Sequence, residues 1–292
     1  MRATVPLVDY YTPKTVAETV RLLTKLEKAS ILAGGTDYVP ATRMKGFRPK
    51  NLVSLKNLGK HLRYISFKNG VIKIGALTRM RDIEKSEVIR KHAPHLYEAA
   101  AQVGAIPIRN RATLGGNLCN ASPAADTAPP LLTLDSVVEI VGPRKKRTVS
   151  IDDFFVGVGK TVLKKGEIVS GISFRPWKGG FAFMKIGRRQ GEDIAVASAA
   201  VSIKMKGEKI SDVKIALGSV APTPIRARKA EADLFGKEPT KEALESAARK
   251  AAEESSPIDD VRASADYRRK MVKVLVTSTL SQAVKKAKGD SS

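Results

Sequence analysis

Two rhythms of apolar positions run along this chain. Val16, Val20, Leu23 and Leu26 recur at helical spacing behind Thr15, with Glu18 three residues on, which predicts a helix opened by a capping box. "ASILAGGTD" reads as a short apolar strand stopped by two glycines, and "NLVSLKNL" (51–58) as a strand and turn. Residues 62–78 alternate apolar and polar around Asn69-Gly70, which predicts a hairpin with a two-residue turn. The stretch 79–104 has helical spacing in two pieces broken at Pro94. Residues 136–151 read as a second hairpin and "GEIVSGISF" as a strand. Beyond Pro176 the pattern changes to long alternating runs with a turn at Gly207-Glu208, predicting an antiparallel meander. Two helices follow. One is Ala-rich and capped at Thr240; the other presents Met271, Val272, Leu275, Val276 and Leu280 as one stripe.

Composition narrows the classes. A length of 292 residues suits about two domains, with the joint expected at "FRPWKGG" (174–180). No 18-residue apolar run or signal-peptide core is present, so the chain is expected in the cytoplasm without a membrane span. One cysteine, Cys119, leaves no internal disulfide. His61, His92 and His95 are dispersed without partners at ligand spacing, so no metal site is expected. The net charge of +23 could serve nucleic acid, but aromatics are 5% and no reading module is present. The charge reads instead as a solvated surface facing anionic ligands and acidic partners.

Three stretches carry candidate chemistry. "LAGGTD" (32–37) follows a strand, and its glycines allow either an amide nest for a pyrophosphate or a plain strand-ending turn. "TLGGN" (113–117) repeats that pattern, with Ser122 and Asp126 just beyond; a carboxylate there suits a ribose hydroxyl or loop amides. Neither loop has the G-x-G-x-x-G spacing of a Rossmann site. "GVGKT" (157–161) imitates a P-loop but has Phe154 where the first glycine belongs. In "MKIGRRQGEDI" (184–194), Lys185 is either an exposed strand cation or a cation beside a ligand that gains negative charge. From the residues alone, a dinucleotide-binding protein and a basic anion- or nucleic-acid-binding protein both remain open.

These pieces, in this order, resemble the flavin subunit of molybdenum-containing hydroxylases, over nearly the whole chain. The resemblance rests on "AGGTD", "TLGGNLCNASPAADTAPPLLTLD", "FFVGVGKTVLKKGEIV", "MKIGRRQGEDIAVASAAV", "ALGSVAPTPIRARKAE" and "ADYRRKMVKVLV". It implies an α+β chain: a two-subdomain FAD-binding fold of the vanillyl-alcohol-oxidase/PCMH type (1–57 and 58–176), then an antiparallel sheet with helices (177–292). It implies an oxidoreductase subunit that carries non-covalent FAD and relays electrons from [2Fe–2S] clusters to an external acceptor, with a stand-alone FAD-dependent oxidase of the same fold as the alternative. Its partners would be a small iron–sulfur subunit and a large molybdopterin subunit, in a heterotrimer or a dimer of heterotrimers.

Site residues follow from the same resemblance. Leu32, Ala33, Gly34, Gly35, Thr36 and Asp37 would wrap the pyrophosphate. Thr113, Gly115, Gly116 and Asn117 would hold its other side, with Asn120 and Ser122 alongside. Asp126 would bind ribose or order its loop, and Val103 and Val169 would pack near the cofactor. Lys185 would sit at the pyrimidine edge of the flavin and Ile194 over its ring. On this reading, Gly35 and Gly116 are the most sensitive glycines. Replacing Lys185 by Ala would keep the fold and lower the flavin potential.

Overall fold

The computed structural model describes residues 8–44, 46–47, 49–189 and 191–289. The chain opens with β1 (Asp9–Tyr11), α1 (Val16–Lys25), β2 (Ala29–Leu32), α2 (Tyr38–Met44) and β3 (Asn51–Ser54). Thr15 caps α1 by accepting from the Glu18 amide at 3.1 Å, but Glu18 reaches back to the Lys14 amide, one residue before the predicted partner. Helix α1 buries Val20 and Leu23 against Val53, Leu55 and Leu58. β3 lies between β1 and β2 and runs parallel to both, so β2 delivers its glycine loop at the carboxyl edge of a parallel sheet. Open α/β sheets present ligands at that edge.

The short α3 (Gly59–Leu62) leads to the hairpin of β4 (Ile65–Lys68) and β5 (Val71–Gly75). Asn69 and Gly70 take φ of 51° and 71°, the conformation that closes a two-residue hairpin. The helical stretch that follows is in three pieces rather than two: α4 (Met80–Ile83), α5 (Glu87–His92) and α6 (Pro94–Ala101). The extra break comes from Ser86, which caps the Ile89 amide. Next are α7 (Ile106–Arg109), α8 (Leu114–Cys119) and α9 (Ala128–Thr133), then β6 (Val137–Val141) and β7 (Lys146–Ser150). β8 (Phe155–Gly157) and β9 (Lys160–Thr161) form a small hairpin where the P-loop imitation lies, and β10 (Ile168–Phe174) closes the unit. The sheet runs β4-β5-β10-β6-β7, and a bulge between Val169 and Gly171 disturbs the β10–β6 ladder. Such bulges re-aim side chains beside sites.

The next sheet holds β11 (Gly180–Ile186), β12 (Ala197–Lys206), β13 (Lys209–Gly218) and β14 (Ile225–Arg226), antiparallel throughout. Helices α10 (Arg228–Leu234), α11 (Lys241–Glu254) and α12 (Ala265–Lys288) pack on it. A Cβ on Gly180 would lie 1.7 Å from the Ala283 carbonyl oxygen, so glycine is what lets α12 rest directly on β11. The stripe on α12 is buried as predicted, with Met271 at its edge. Within the basic run "DYRRK", Arg268 is not a surface charge. Its guanidinium is buried and donates to the Val196 and Ser219 carbonyls and to Asp260.

Candidate functional site

The loop from Leu32 to Asp37 leaves β2 and enters α2. Gly35 has φ +80°, a conformation that side chains resist. Gly34 is there for another reason. A Cβ on it would lie 2.1 Å from the Arg111 carbonyl oxygen, so this loop lies directly against the segment before α8. The amides of Gly34, Gly35 and Thr36 have no acceptor among the described residues. Three consecutive amides left open at a strand end form an anion-binding concavity. Of the two readings that the sequence leaves open, the nest is the one that this geometry favours over the plain turn.

The second glycine pair behaves differently. Thr113 caps α8, and Gly115 and Gly116 lie in its first turn. The Leu114 amide donates to Thr78 O, the Gly115 amide to Ala76 O at 2.8 Å, and the Gly116 amide to Thr113 Oγ1 at 3.1 Å. All three donors are therefore used inside the protein, and this pair is not a second nest. Gly115 is a packing glycine: its Cβ would lie 2.8 Å from that of Ala76. What faces the first loop is side chain. Asn120 donates to Asp37 Oδ1 at 3.3 Å across 83 residues of sequence, which joins the two loops. Asn117 accepts from Thr127 at 2.6 Å through Oδ1, and its Nδ2 makes no bond among the described residues. Ser122 accepts from the Ala124 amide.

Between these walls lies a cleft of about 960 Å³, at the upper end of the usual range for small-molecule sites. Every residue singled out from the sequence lines it except Lys185. Val103 and Val169 are part of its apolar lining, and Ile194 is 56% exposed. Asp126 is buried with one oxygen, Oδ1, unpartnered. Burial pushes its carboxyl up to about 6, against the opposing pull of Lys185.

Lys185 does not stand free to meet a ligand. Its ammonium donates to Asp126 Oδ2 at 2.8 Å, to the Gln102 carbonyl at 2.7 Å and to the Asp193 carbonyl at 3.2 Å. An ammonium has three protons and all three are used. Lys185 therefore pins together three segments that border the cleft, and two of its partners, Asp126 and Asp193, line it. Its partners come from three parts of the chain, so no local spacing shows them. Arg109 is a second residue that sequence reasoning missed. It donates to the Gly104 carbonyl at 2.8 Å and pairs with buried Glu84, holding the Val103–Gly104 segment in place. Tyr38 and Phe47, in an edge-to-face pair at 6.1 Å, also line the cleft. Tyr38 directly follows the glycine loop, which was the one available signal.

Residues 6–177 match the family model described as the FAD binding domain in molybdopterin dehydrogenase, and residues 182–283 match the CO dehydrogenase flavoprotein C-terminal domain. The chain belongs to the FAD-binding medium subunits of the molybdenum hydroxylases. The carbon monoxide dehydrogenase medium chain of Hydrogenophaga pseudoflava is 33% identical to it, covering 95% of this chain and 97% of that one. The glyceraldehyde dehydrogenase medium chain of Sulfolobus acidocaldarius is 32% identical over 92% and 96%. A solved structure of carbon monoxide dehydrogenase from Hydrogenophaga pseudoflava, lacking the Mo-pyranopterin moiety of its cofactor, superposes with a TM-score of 0.94 at 34% identity, covering 97% and 99% of the two chains. The α+β fold expected from the resemblance is thus the observed one.

The residues of this medium subunit fit FAD. Open amides suit a diphosphate, and the unpaired Asp126 Oδ1 suits a hydroxyl or imide donor. A Thr113→Ala chain should lose about 1 kcal/mol of stability with its helix cap. It should also hold flavin several-fold more weakly, read by thermal melting and by flavin fluorescence on dilution. Unchanged affinity would mean that the turn of α8 does not shape the cleft.

Proposed function

We propose that this chain is the electron-carrying member of a complex with a small iron–sulfur subunit and a large molybdopterin subunit, as a heterotrimer or a dimer of heterotrimers in the cytoplasm. When bound, FAD supplies the redox chemistry that joins single electrons arriving from [2Fe–2S] clusters to delivery of a pair to an external acceptor. The chain's own residues bind and orient. Gly34, Gly35 and Thr36 donate amides to the diphosphate, and Asp37 with Asn120 closes over it. Asn117 and Ser122 border the chain between diphosphate and ring, with Leu32, Ala33, Val103 and Val169 excluding water around them. Asp126 accepts from the ligand through Oδ1, Lys185 holds that carboxylate in place, and Ile194 covers the open side. Residues 1–57 and 58–176 form the two halves of the flavin cleft, and 177–292 supply Lys185 and Ile194. No general base is needed, because the reacting atoms belong to the cofactor.

One observation carries this reading: three adjacent amides without an acceptor among the described residues belong to a loop that, with the second loop, lines a cleft large enough for a dinucleotide. Gently purified protein should absorb near roughly 370 and 450 nm, and acid precipitation should release the colour as free flavin. Iron and molybdenum should co-purify when the partner chains are present. Colour that precipitates with the protein would overturn the non-covalent assignment; a colourless protein that takes up no FAD would overturn the site.

A further inference from the structure

On the opposite side of α1 from the flavin cleft lies a second cavity, of about 1300 Å³, between that helix and the sheet strands β5, β10, β6 and β7. Its charge is lopsided. Arg21 and Lys25 line it from α1, and Lys146 lines it from β7. None of the three has a carboxylate partner among the described residues. Glu139 is the only carboxylate in the lining, and Lys73 already neutralises it at 2.8 Å. Arg147 is likewise paired, with Glu167 outside the cavity. Arg21 and Lys25 are four residues apart on one helical face, where like charges repel and destabilise the helix. An anion held between them and Lys146 would relieve that repulsion. His61 and Thr148 add hydrogen-bonding groups, and Leu62, Tyr64 and Pro143 give apolar wall.

We propose that this cavity is a second ligand site, for a phosphate-bearing anion of nucleoside-diphosphate size. The three unpaired cations match the charge of a diphosphate, and the apolar wall and volume leave room for a nucleoside. The site is separate from the flavin cleft. Val169 lines one and Ser170 the other, at the bulge of β10. A packed wall also divides them: a Cβ on Gly166 would meet Thr24 Oγ1 at 2.4 Å and Pro143 at 2.9 Å. The ligand therefore approaches from the far face of β10. It binds as an effector and is not a redox partner of the flavin. The proposal does not depend on the electron-transfer reading.

The test is calorimetric titration of the flavin-loaded full chain with ADP and with adenosine, at constant ionic strength. ADP should bind once per chain without releasing flavin, and adenosine should bind at least tenfold more weakly. A chain with Arg21→Ala, Lys25→Ala and Lys146→Ala, all exposed positions, should keep its flavin and lose ADP affinity at least tenfold. Arg21→Lys with Lys25→Arg should retain it. Equal binding of adenosine, unchanged ADP affinity in the triple variant, or release of flavin by ADP would each overturn the proposal. So would a polyglutamate peptide that binds the same cations more tightly than ADP, which would make the cavity a docking groove for an acidic chain.

Discussion

A Gly34→Ala chain should come off the column nearly colourless. The added Cβ would lie 2.1 Å from Arg111 O and 2.8 Å from Arg111 C, where real Cβ atoms keep at least 3.0 Å. Both obstacles are backbone, so no side chain can swing aside. The glycine loop and the segment before α8 must part instead. That overpacking costs about 1–3 kcal/mol of stability. Parting the loops also pulls Asn120 from Asp37 and turns the open amides away from one another. Hydrogen bonds to a charged group contribute about 1.5–3 kcal/mol each, so losing two lowers FAD affinity on the order of 100-fold or more. The sequence had pointed to Gly35 and Gly116 as the sensitive pair. Gly35 carries the cost of φ +80°, and a Cβ on Gly116 would meet only the Thr113 hydroxyl at 2.8 Å. Gly34 therefore ranks first. Gly59 provides the control: it is helical, with φ −52°, and nothing lies near its missing Cβ. Gly59→Ala should keep full flavin and match or slightly exceed the parent in melting temperature. If Gly34→Ala purifies with the parent's ratio of 450 to 280 nm absorbance, the loop contact has no part in binding.

What could be read from the sequence was local, and what could not was the meeting of distant segments. The hairpins at Asn69-Gly70 and Gly207-Glu208, the caps at Thr15 and Thr240 and the stripe on α12 all depend on neighbours a few residues apart. α8 was missed because two glycines in six residues are poor helix formers. Its turn is held by the Thr113 cap and by amides bonded to Thr78 and Ala76, which lie more than 30 residues earlier. The site was legible as a set of positions, since all but Lys185 line one cleft. Their division of labour was not. The two glycine pairs look alike in sequence, yet one exposes its amides and the other uses them in a helix start. The Ala76 and Thr78 carbonyls, in the turn that follows β5, make that difference. Arg268 teaches the same lesson about charge. It reads as one of a surface run of cations, whereas its acceptors at Val196, Ser219 and Asp260 surround it in the core.

The Asp126–Lys185 pair should produce a large, pH-dependent effect. Removing one partner of a buried ion pair costs about 3–5 kcal/mol, because the other charge is left without compensation. Lys185→Ala should therefore destabilise the chain strongly at neutral pH, contrary to the sequence-based expectation that the fold would be untouched. The sign of the pH dependence follows from Asp126. Its folded value, about 6, already lies above the ordinary value of 3.8. Its protonated form is thus favoured by folding, and the stability it contributes is present below the ordinary value and lost as pH rises through about 6. Without Lys185 the folded value climbs further, so the loss extends to higher pH and grows. The gap between parent and variant should be small near pH 4 and widest above pH 7, as read by urea denaturation across that range. Adding Asp126→Asn to Lys185→Ala should recover much of the loss, since no charge remains to desolvate. The flavin potential gives an independent readout. In Lys185→Ala, Asp126 takes up a proton at neutral pH, the local charge stays zero, and the potential should move little. In Asp126→Asn alone, an uncompensated cation remains beside the cleft, which favours the more negative reduced flavin and should raise the potential. A pH-independent stability loss in Lys185→Ala, or a potential unmoved by Asp126→Asn in flavin-loaded protein, would show that this pair does not set the charge of the cleft.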